Sequence, residues 1–195
     1  TDIDYLVFYE KPLRKFERIL TTHIFHAPNG FKTFVKAMPI WLKERLDMKS
    51  TITKSLNELC HHRIKWDIRF VEHHLSHAAM AYFTSPFENA AVLVVDAVGE
   101  NATTSLFKAI DCKIECIKQQ SFPNSVGLLY SAFTYYLGFQ VNSDEYKVMG
   151  LAPYGDLCAE QTQRFINIIK TKLVSIGDDG SIIINQKYFT FMVGL

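Results

Sequence analysis

Apolar residues follow two different spacings along the chain, and this alternation predicts an α/β protein. Short runs of β-branched and aromatic residues predict strands at 5–9, 68–71, 90–95, 103–109 and 113–119. Apolar residues at every third or fourth position predict helices that begin at Pro12 and Phe31, the second interrupted near Pro39. The same spacing predicts helices at 50–60, 74–83, 126–137, 143–149 and 160–173. The sequence DDG at 178–180 predicts a hairpin turn.

The order of the predicted elements changes near Pro86. Before it the chain predicts strand, helices, strand and helix, and after it three strands and a run of helices. This order predicts parts of two α/β units, residues 1–86 and 87–195. The chain starts close to a core strand and residues 189–195 are mostly apolar, so we expect a segment of a longer polypeptide.

Composition excludes several classes of protein. Hydrophobic residues make up 48% and charged residues 21% of the 195 residues, which is typical of a globular domain. A net charge of +1 provides no attraction for nucleic acid or an anionic membrane. No apolar run approaches the ~20 residues that span a bilayer. Four cysteines without a CxxC pair predict buried thiols in a reduced, cytoplasmic protein.

His73 and His77 carry the strongest chemical signal. Residues four apart on a helix are separated by a rotation of roughly 400°, so both imidazoles project from one face, about 6 Å apart along the axis. Two imidazoles at this spacing can bind one metal ion. His74 faces elsewhere and is not expected to be a ligand. By itself the pair leaves an ordinary structural role equally open.

Asp96 directly follows the predicted strand 90–95 and precedes a turn at Gly99. A carboxylate at the carboxyl end of a strand often faces a ligand crevice, and its short side chain suits metal coordination. The alternative is a turn-stabilising aspartate that accepts hydrogen bonds from the next backbone amides. Together with the histidine pair, the metal interpretation is favoured.

Two segments contain residues suited to phosphate. After Asp96, Gly99 permits close backbone approach and Thr103 provides a hydroxyl. Further along, Lys147 can offset phosphate charge and Gly150 lets a ligand lie against the backbone. The structural alternatives are an ordinary hairpin turn for the first segment and a solvated helix for the second.

Five segments together resemble the nodulation-protein-U-like O-carbamoyltransferases of antibiotic and nodulation-factor biosynthesis. They keep their order and lie at 8–12 (FYEKP), 73–77 (HHLSH), 94–105 (VVDAVGE, then ATTS), 127–139 (GLLYSAFTYYLGF) and 145–155 (EYKVMGLAPYG). The resemblance covers most of the chain. It implies an actin- and hexokinase-like fold of two ribonuclease-H-like lobes, with mixed sheets flanked by helices.

The resemblance also implies a site and a reaction. The implied ligands of a divalent ion, with iron favoured and zinc as the alternative, are His73, His77 and Asp96. The turn from Asp96 to Thr104, with Gly99, Glu100 and Thr103, is implied to be a phosphate loop. Glu145, Lys147 and Gly150, in the matching segment 145–155, are further candidate contacts to nucleotide phosphate. ATP and carbamoyl phosphate would form a carbamoyladenylate, whose carbamoyl group passes to a hydroxyl of a small acceptor.

Two positions depart from the family pattern. Where the family usually has glycine and tryptophan, this chain has Ala97 and Asn101, so substrate contacts near the loop are expected to differ. The family's N-terminal phosphate hairpin, a further acidic ligand and a C-terminal carbamoyl-phosphate domain have no counterpart in these residues. The segment alone is not expected to catalyse the reaction, because catalysis would need the N- and C-terminal parts of its polypeptide.

Two alternatives remain open. One is an enzyme that transfers threonylcarbamoyl to transfer RNA, and the missing basic patch argues against it. The other is an actin-like nucleotide-binding module without catalysis. A bound metal ion would favour an enzyme over the non-catalytic module.

Overall fold

A computed structural model describes residues 3–42, 47–60, 65–190 and 192. The strands are β1 Leu6–Phe8, β2 Ile68–Phe70, β3 Asn89–Val95, β4 Ala102–Ile110, β5 Lys113–Ser121, β6 Val174–Ile176 and β7 Ile182–Ile184. The α-helices are α1 Pro12–His26, α2 Phe31–Ile40, α3 Met48–Cys60, α4 His73–Phe83, α5 Val126–Tyr136, α6 Glu145–Leu151 and α7 Glu160–Ile168. The predicted α/β content is therefore confirmed.

β1 and β2 form a parallel pair in which Leu6 lies opposite Ile68 and Phe8 opposite Phe70. Parallel neighbours need a long crossover connection, which here contains α1, α2 and α3. β1 ends just before Tyr9 and Glu10, and β2 ends three residues before His73. The pairing therefore brings two distant parts of the sequence together beside the start of α4.

β3, β4 and β5 form an antiparallel sheet with β4 at its centre. α4 packs against one face of this sheet, and a small core joins Ala78 of α4, Val94 of β3 and Phe107 of β4. On β3 only one face is covered, since Val94 is buried and Leu93 is 65% exposed. The packing of α4 on this sheet fixes the start of the helix next to the end of β3.

The later elements follow the sequence prediction closely. Ser125 caps α5 by accepting a hydrogen bond from the backbone N–H of Leu128 at 3.0 Å. The turn at 178–180 joins β6 and β7 as the predicted hairpin. The predicted helix 160–173 is α-helical only to Ile168 and continues as a π-helix over Ile169–Leu173.

Three expectations differ from the structure. Pro39 lies inside α2, which continues to Ile40. All four cysteines are free, as predicted, but their side chains are exposed. Cys112 lies in the turn between β4 and β5, and Cys116 lies on β5, the edge strand of the sheet as described. Each described sheet is purely parallel or purely antiparallel, not mixed.

The proposed division at Pro86 stays a prediction, as do the ribonuclease-H-like lobes. α4 precedes that position in the chain but packs on the sheet that follows it. Within the described residues, no helix has the length and hydropathy that a membrane span requires.

Candidate metal centre

α4 brings His73 and His77 onto one face, as their spacing predicts. The Nε2 atoms of the two rings are 3.1 Å apart. The ring centroids are 4.7 Å apart and the ring planes are inclined by 79°. Both imidazoles therefore turn the same nitrogen toward a common point.

Asp96 joins this pair from the end of β3. Its Oδ2 lies 3.1 Å from Nε2 of His73. Its Oδ1 accepts the backbone N–H of Ala97 at 2.6 Å. The side chain thus has the turn-stabilising hydrogen bond of the structural interpretation, while its second oxygen faces the histidines. The two interpretations of Asp96 are compatible.

The three side chains could hold one divalent ion. The cluster His73, His77 and Asp96 has all its ligand atoms within 4.8 Å of one another. Two ligands that each lie about 2.1 Å from one ion are about 3.0–3.4 Å apart at octahedral or tetrahedral angles. The two separations that involve Nε2 of His73, both 3.1 Å, agree with this value. The ligand atoms of His77 and Asp96 lie within 4.8 Å of each other. The lone pairs of imidazole nitrogens and a carboxylate oxygen at this distance need a proton or a cation between them. Two imidazoles with one carboxylate suit Fe²⁺ or Zn²⁺.

The charges around the cluster favour a cation. The hydrogen bond to Asp96 raises the pKa of His73, with further contributions from the negative charges of Asp96, Glu100 and Glu10. The same contact with His73 holds the pKa of the Asp96 carboxyl below its usual range, assisted by the Ala97 amide. The site therefore stabilises positive charge at the position where the ligand atoms meet.

Glu100 holds the start of α4 in place. Its buried carboxylate accepts the backbone N–H of His73, with Oε1 at 3.0 Å and Oε2 at 3.1 Å. Oε1 also accepts the backbone N–H of Lys11 at 2.8 Å. Its carbonyl oxygen accepts a hydrogen bond from Nε of Arg18 at 2.6 Å. Both ends of Glu100 are thus occupied by contacts within the protein.

Gly99 and Thr103, two of the predicted phosphate contacts, also have structural partners. A Cβ atom at Gly99 would lie 3.1 Å from Cδ2 of His74 and 3.2 Å from Cβ of His73. The hydroxyl of Thr103 is buried and donates to the carbonyl oxygens of Asn124 and Gln120. The structure brings these residues and Glu100 next to the cluster, where they support its geometry.

Glu145, Lys147 and Gly150, the second predicted phosphate group, lie on α6. Nζ of Lys147 pairs with Oδ1 of Asp144 at 2.8 Å. Oε1 of Glu145 accepts from the backbone N–H of Asn142 and the hydroxyl of Ser131. The contact with Ser131 joins α6 to α5. None of these contacts of Lys147 and Glu145 involves the histidine cluster.

His74 does not belong to the cluster, in agreement with its predicted orientation. Its buried ring makes a 2.7 Å hydrogen bond between Nδ1 and the hydroxyl of Ser105. Burial lowers the pKa of this imidazole.

Sequence reasoning assigned no role to Glu10. The residue is only 4% exposed, and its Oε2 lies 4.0 Å from Nδ1 of His73. The sequence feature that could have indicated a role for Glu10 is its position in the segment FYEKP at 8–12, which carries part of the family resemblance.

A family comparison decides the wider relationship. The family model described as carbamoyltransferase N-terminus matches residues 1–195. The chain belongs to that family. The resemblance inferred from the five sequence segments is therefore confirmed.

Relatives of this carbamoyltransferase-family chain are longer proteins. An uncharacterized protein of Synechocystis sp. is 47% identical over 196 residues, covering 100% of this chain and 31% of that protein. Nodulation protein NolNO of Sinorhizobium fredii is 47% identical over 91 residues, covering 46% of this chain and 13% of that protein. Nodulation protein NolO of Bradyrhizobium diazoefficiens is 42% identical over 88 residues, covering 44% and 16%. The chain thus matches less than a third of the length of each.

Proposed function

We propose that the intact protein transfers a carbamoyl group to a hydroxyl of a small acceptor. Carbamoyl phosphate, ATP and water would give carbamoyladenylate, phosphate and pyrophosphate. Attack by the acceptor hydroxyl on the carbamoyl carbon would then form the carbamate and release AMP and a proton. The observation that carries the proposal is the convergence of His73, His77 and Asp96 in a chain of the carbamoyltransferase family.

The three side chains would hold a divalent ion, with iron favoured and zinc as the alternative. When bound, the ion supplies Lewis-acid chemistry toward phosphate oxygens. Nε2 of each histidine must then be unprotonated, and the Asp96 carboxylate must be ionised. The lowered pKa of Asp96 meets the second requirement across the neutral range.

The protein's own residues would prepare the site for phosphate. Glu100 fixes the start of α4 and therefore the backbone position of His73. Gly99 lets the loop lie directly against His73 and His74, so the loop and the ligands form one unit. Lys147, with Glu145 and Gly150, would contact nucleotide phosphate from α6. The acceptor hydroxyl would approach the side on which His77 is exposed.

Elemental analysis of the full-length protein tests the metal centre. We expect close to one iron or zinc per chain, lost in His73→Ala. His26→Ala is the matched control, because His26 is also a helical histidine but bonds to the carbonyl of Thr22. A wild-type protein that binds ATP but no metal would contradict the enzyme and favour the non-catalytic module.

Isotope exchange between ATP and pyrophosphate tests the reaction. Exchange that depends on carbamoyl phosphate is expected in the wild type and absent in Asp96→Ala. Exchange that instead depends on threonine and bicarbonate, with salt-sensitive RNA binding, would favour the threonylcarbamoyl alternative. The net charge of +1 makes the RNA outcome the less expected one.

A further inference from the structure

Glu10 is a buried carboxylate immediately after β1. Its Oε2 pairs with Nζ of Lys15 at 2.8 Å, and the side chain is 5% exposed. Buried carboxylates are rare unless they are paired, because leaving water is costly for a charge. The same oxygen lies 4.0 Å from Nδ1 of His73. The carboxylate therefore faces the metal-site histidine from the side opposite Asp96.

Nδ1 of His73 has no hydrogen-bond partner within the part of the chain that the structure describes, although it is buried. The other ring nitrogen, Nε2, faces His77 and Asp96. If Nε2 binds an ion, it carries no proton, and the neutral ring must hold its proton on Nδ1. A buried N–H then lies near Glu10, with Nδ1 4.0 Å from Oε2, and needs an acceptor.

The backbone around Glu10 is held against α4. Ser76 donates its hydroxyl to the carbonyl of Tyr9 at 3.2 Å. The Tyr9 ring meets the His73 ring edge to face, with centroids 5.5 Å apart. A movement of about 1 Å by the Glu10 side chain would bring Oε2 within hydrogen-bond distance of Nδ1, without moving either element.

We propose that Glu10 is a positioning residue that accepts the Nδ1–H of His73 when the site is loaded. Such a bond fixes the tautomer and orientation of the ring and raises the basicity of Nε2. The 2.8 Å ion pair with Lys15 holds the carboxylate in place. This inference rests on the proposed metal centre and adds one residue to it, from a segment 63 positions earlier in the sequence.

The affinity of the full-length protein for Zn²⁺, measured by chelator competition, tests the proposal. Glu10→Gln is expected to weaken binding by about 10–100-fold, as losses of such hydrogen bonds do. Glu72→Gln is the matched control, because Glu72 also carries ion pairs at the start of α4, but with Lys11 and Arg14. Its affinity is expected to stay at the wild-type value.

A second measurement uses the wild type and does not depend on how the variant folds. In protein labelled with ¹⁵N-histidine and loaded with Zn²⁺, His73 is expected to show a slowly exchanging proton on Nδ1. A proton on Nε2, or equal Zn²⁺ affinity in Glu10→Gln and wild type, would overturn the role of Glu10 but leave the metal centre standing. A wild type without Zn²⁺ affinity would overturn the metal centre itself, so the two failures are distinguishable.

Discussion

Glu100 accepts the backbone N–H of His73 through both oxygens of its carboxylate, at 3.0 and 3.1 Å. The first N–H groups of a helix have no partner inside the helix, and a negative charge there is favourable for the helix dipole. Glu72, at the N-cap position of α4, makes no side-chain capping bond. A residue of the loop after β3 therefore performs the capping of the helix that carries the histidines.

Replacing Glu100 by alanine is expected to lower the free energy of unfolding by about 1–3 kcal/mol, since the buried amides of His73 and Lys11 lose their acceptor. Urea denaturation followed by far-UV circular dichroism would measure this change. Glu115→Ala, which removes an exposed carboxylate of β5, is the control and is expected to have little effect. Equal stabilities of the two variants would contradict the capping role.

Gly127 packs against the loop that contains Asp96. A Cβ atom built there would lie 2.6 Å from the backbone nitrogen of Ala97 and 2.7 Å from the carbonyl oxygen of Asp96. These neighbours are backbone atoms, which cannot rotate away. Gly127→Ala is therefore expected to destabilise the fold by about 1–3 kcal/mol and to weaken metal binding by displacing Asp96.

Gly150 provides the matched comparison for stability. It lies within α6, and a Cβ atom there would have no neighbour within 4 Å. Gly150→Ala is expected to stabilise the helix by about 0.5–1 kcal/mol. Thermal unfolding of the two variants would measure both changes. A stabilised Gly127→Ala variant would show that the loop after β3 can move away from α5.

The parts of the site that sequence predicted are those set by local geometry. The spacing of His73 and His77 requires only a helix, and the position of Asp96 requires only that an apolar strand ends at Val95. Their approach to one another was predicted because a carboxylate at the end of a strand often faces a ligand crevice and because the family resemblance implied these three ligands. Whether they bind a metal stays a prediction.

The parts that sequence missed depend on distant pairings. Glu10 reaches His73 only because β1 pairs with β2, across a connection of three helices. Glu100 was predicted as a phosphate contact, and its capping of α4 follows from packing that no periodicity encodes. The thiols were expected to be buried because four cysteines without a CxxC pair suit a reduced protein, but Cys116 is exposed on β5, an edge strand of the described sheet.

His74 predicts a pH dependence of stability in the metal-free protein. Burial lowers the pKa of this imidazole in the folded state, while the unfolded chain has the ordinary value of about 6.5. The unfolded state therefore binds more protons, and the stability contribution is complete above about pH 6.5 and falls as the pH decreases below it. The loss is expected to reach at most about 1.4 kcal/mol per pH unit.

Comparison of the wild type with His74→Asn isolates this contribution, because His73, whose pKa is raised, is present in both. Asparagine can still hydrogen-bond to Ser105. Between pH 7.5 and 5.5, urea denaturation is expected to show a steeper loss of stability in the wild type. Parallel curves would mean that His74 is protonated equally in the folded and unfolded chain.

Lys147 distinguishes a phosphate contact from an ordinary surface lysine. Its side chain is 43% exposed and pairs with Asp144 at 2.8 Å, and surface pairs of this kind contribute little to stability. Lys147→Met is therefore expected to leave the melting temperature unchanged.

If the ammonium group contacts phosphate in the intact protein, the same variant loses a charge-assisted hydrogen bond, and the dissociation constant for ATP rises about tenfold. Isothermal titration calorimetry measures this dissociation constant, and Lys170→Met is the control for loss of an exposed lysine. Identical ATP affinity in both variants would assign Lys147 to the surface of α6 and remove it from the nucleotide site.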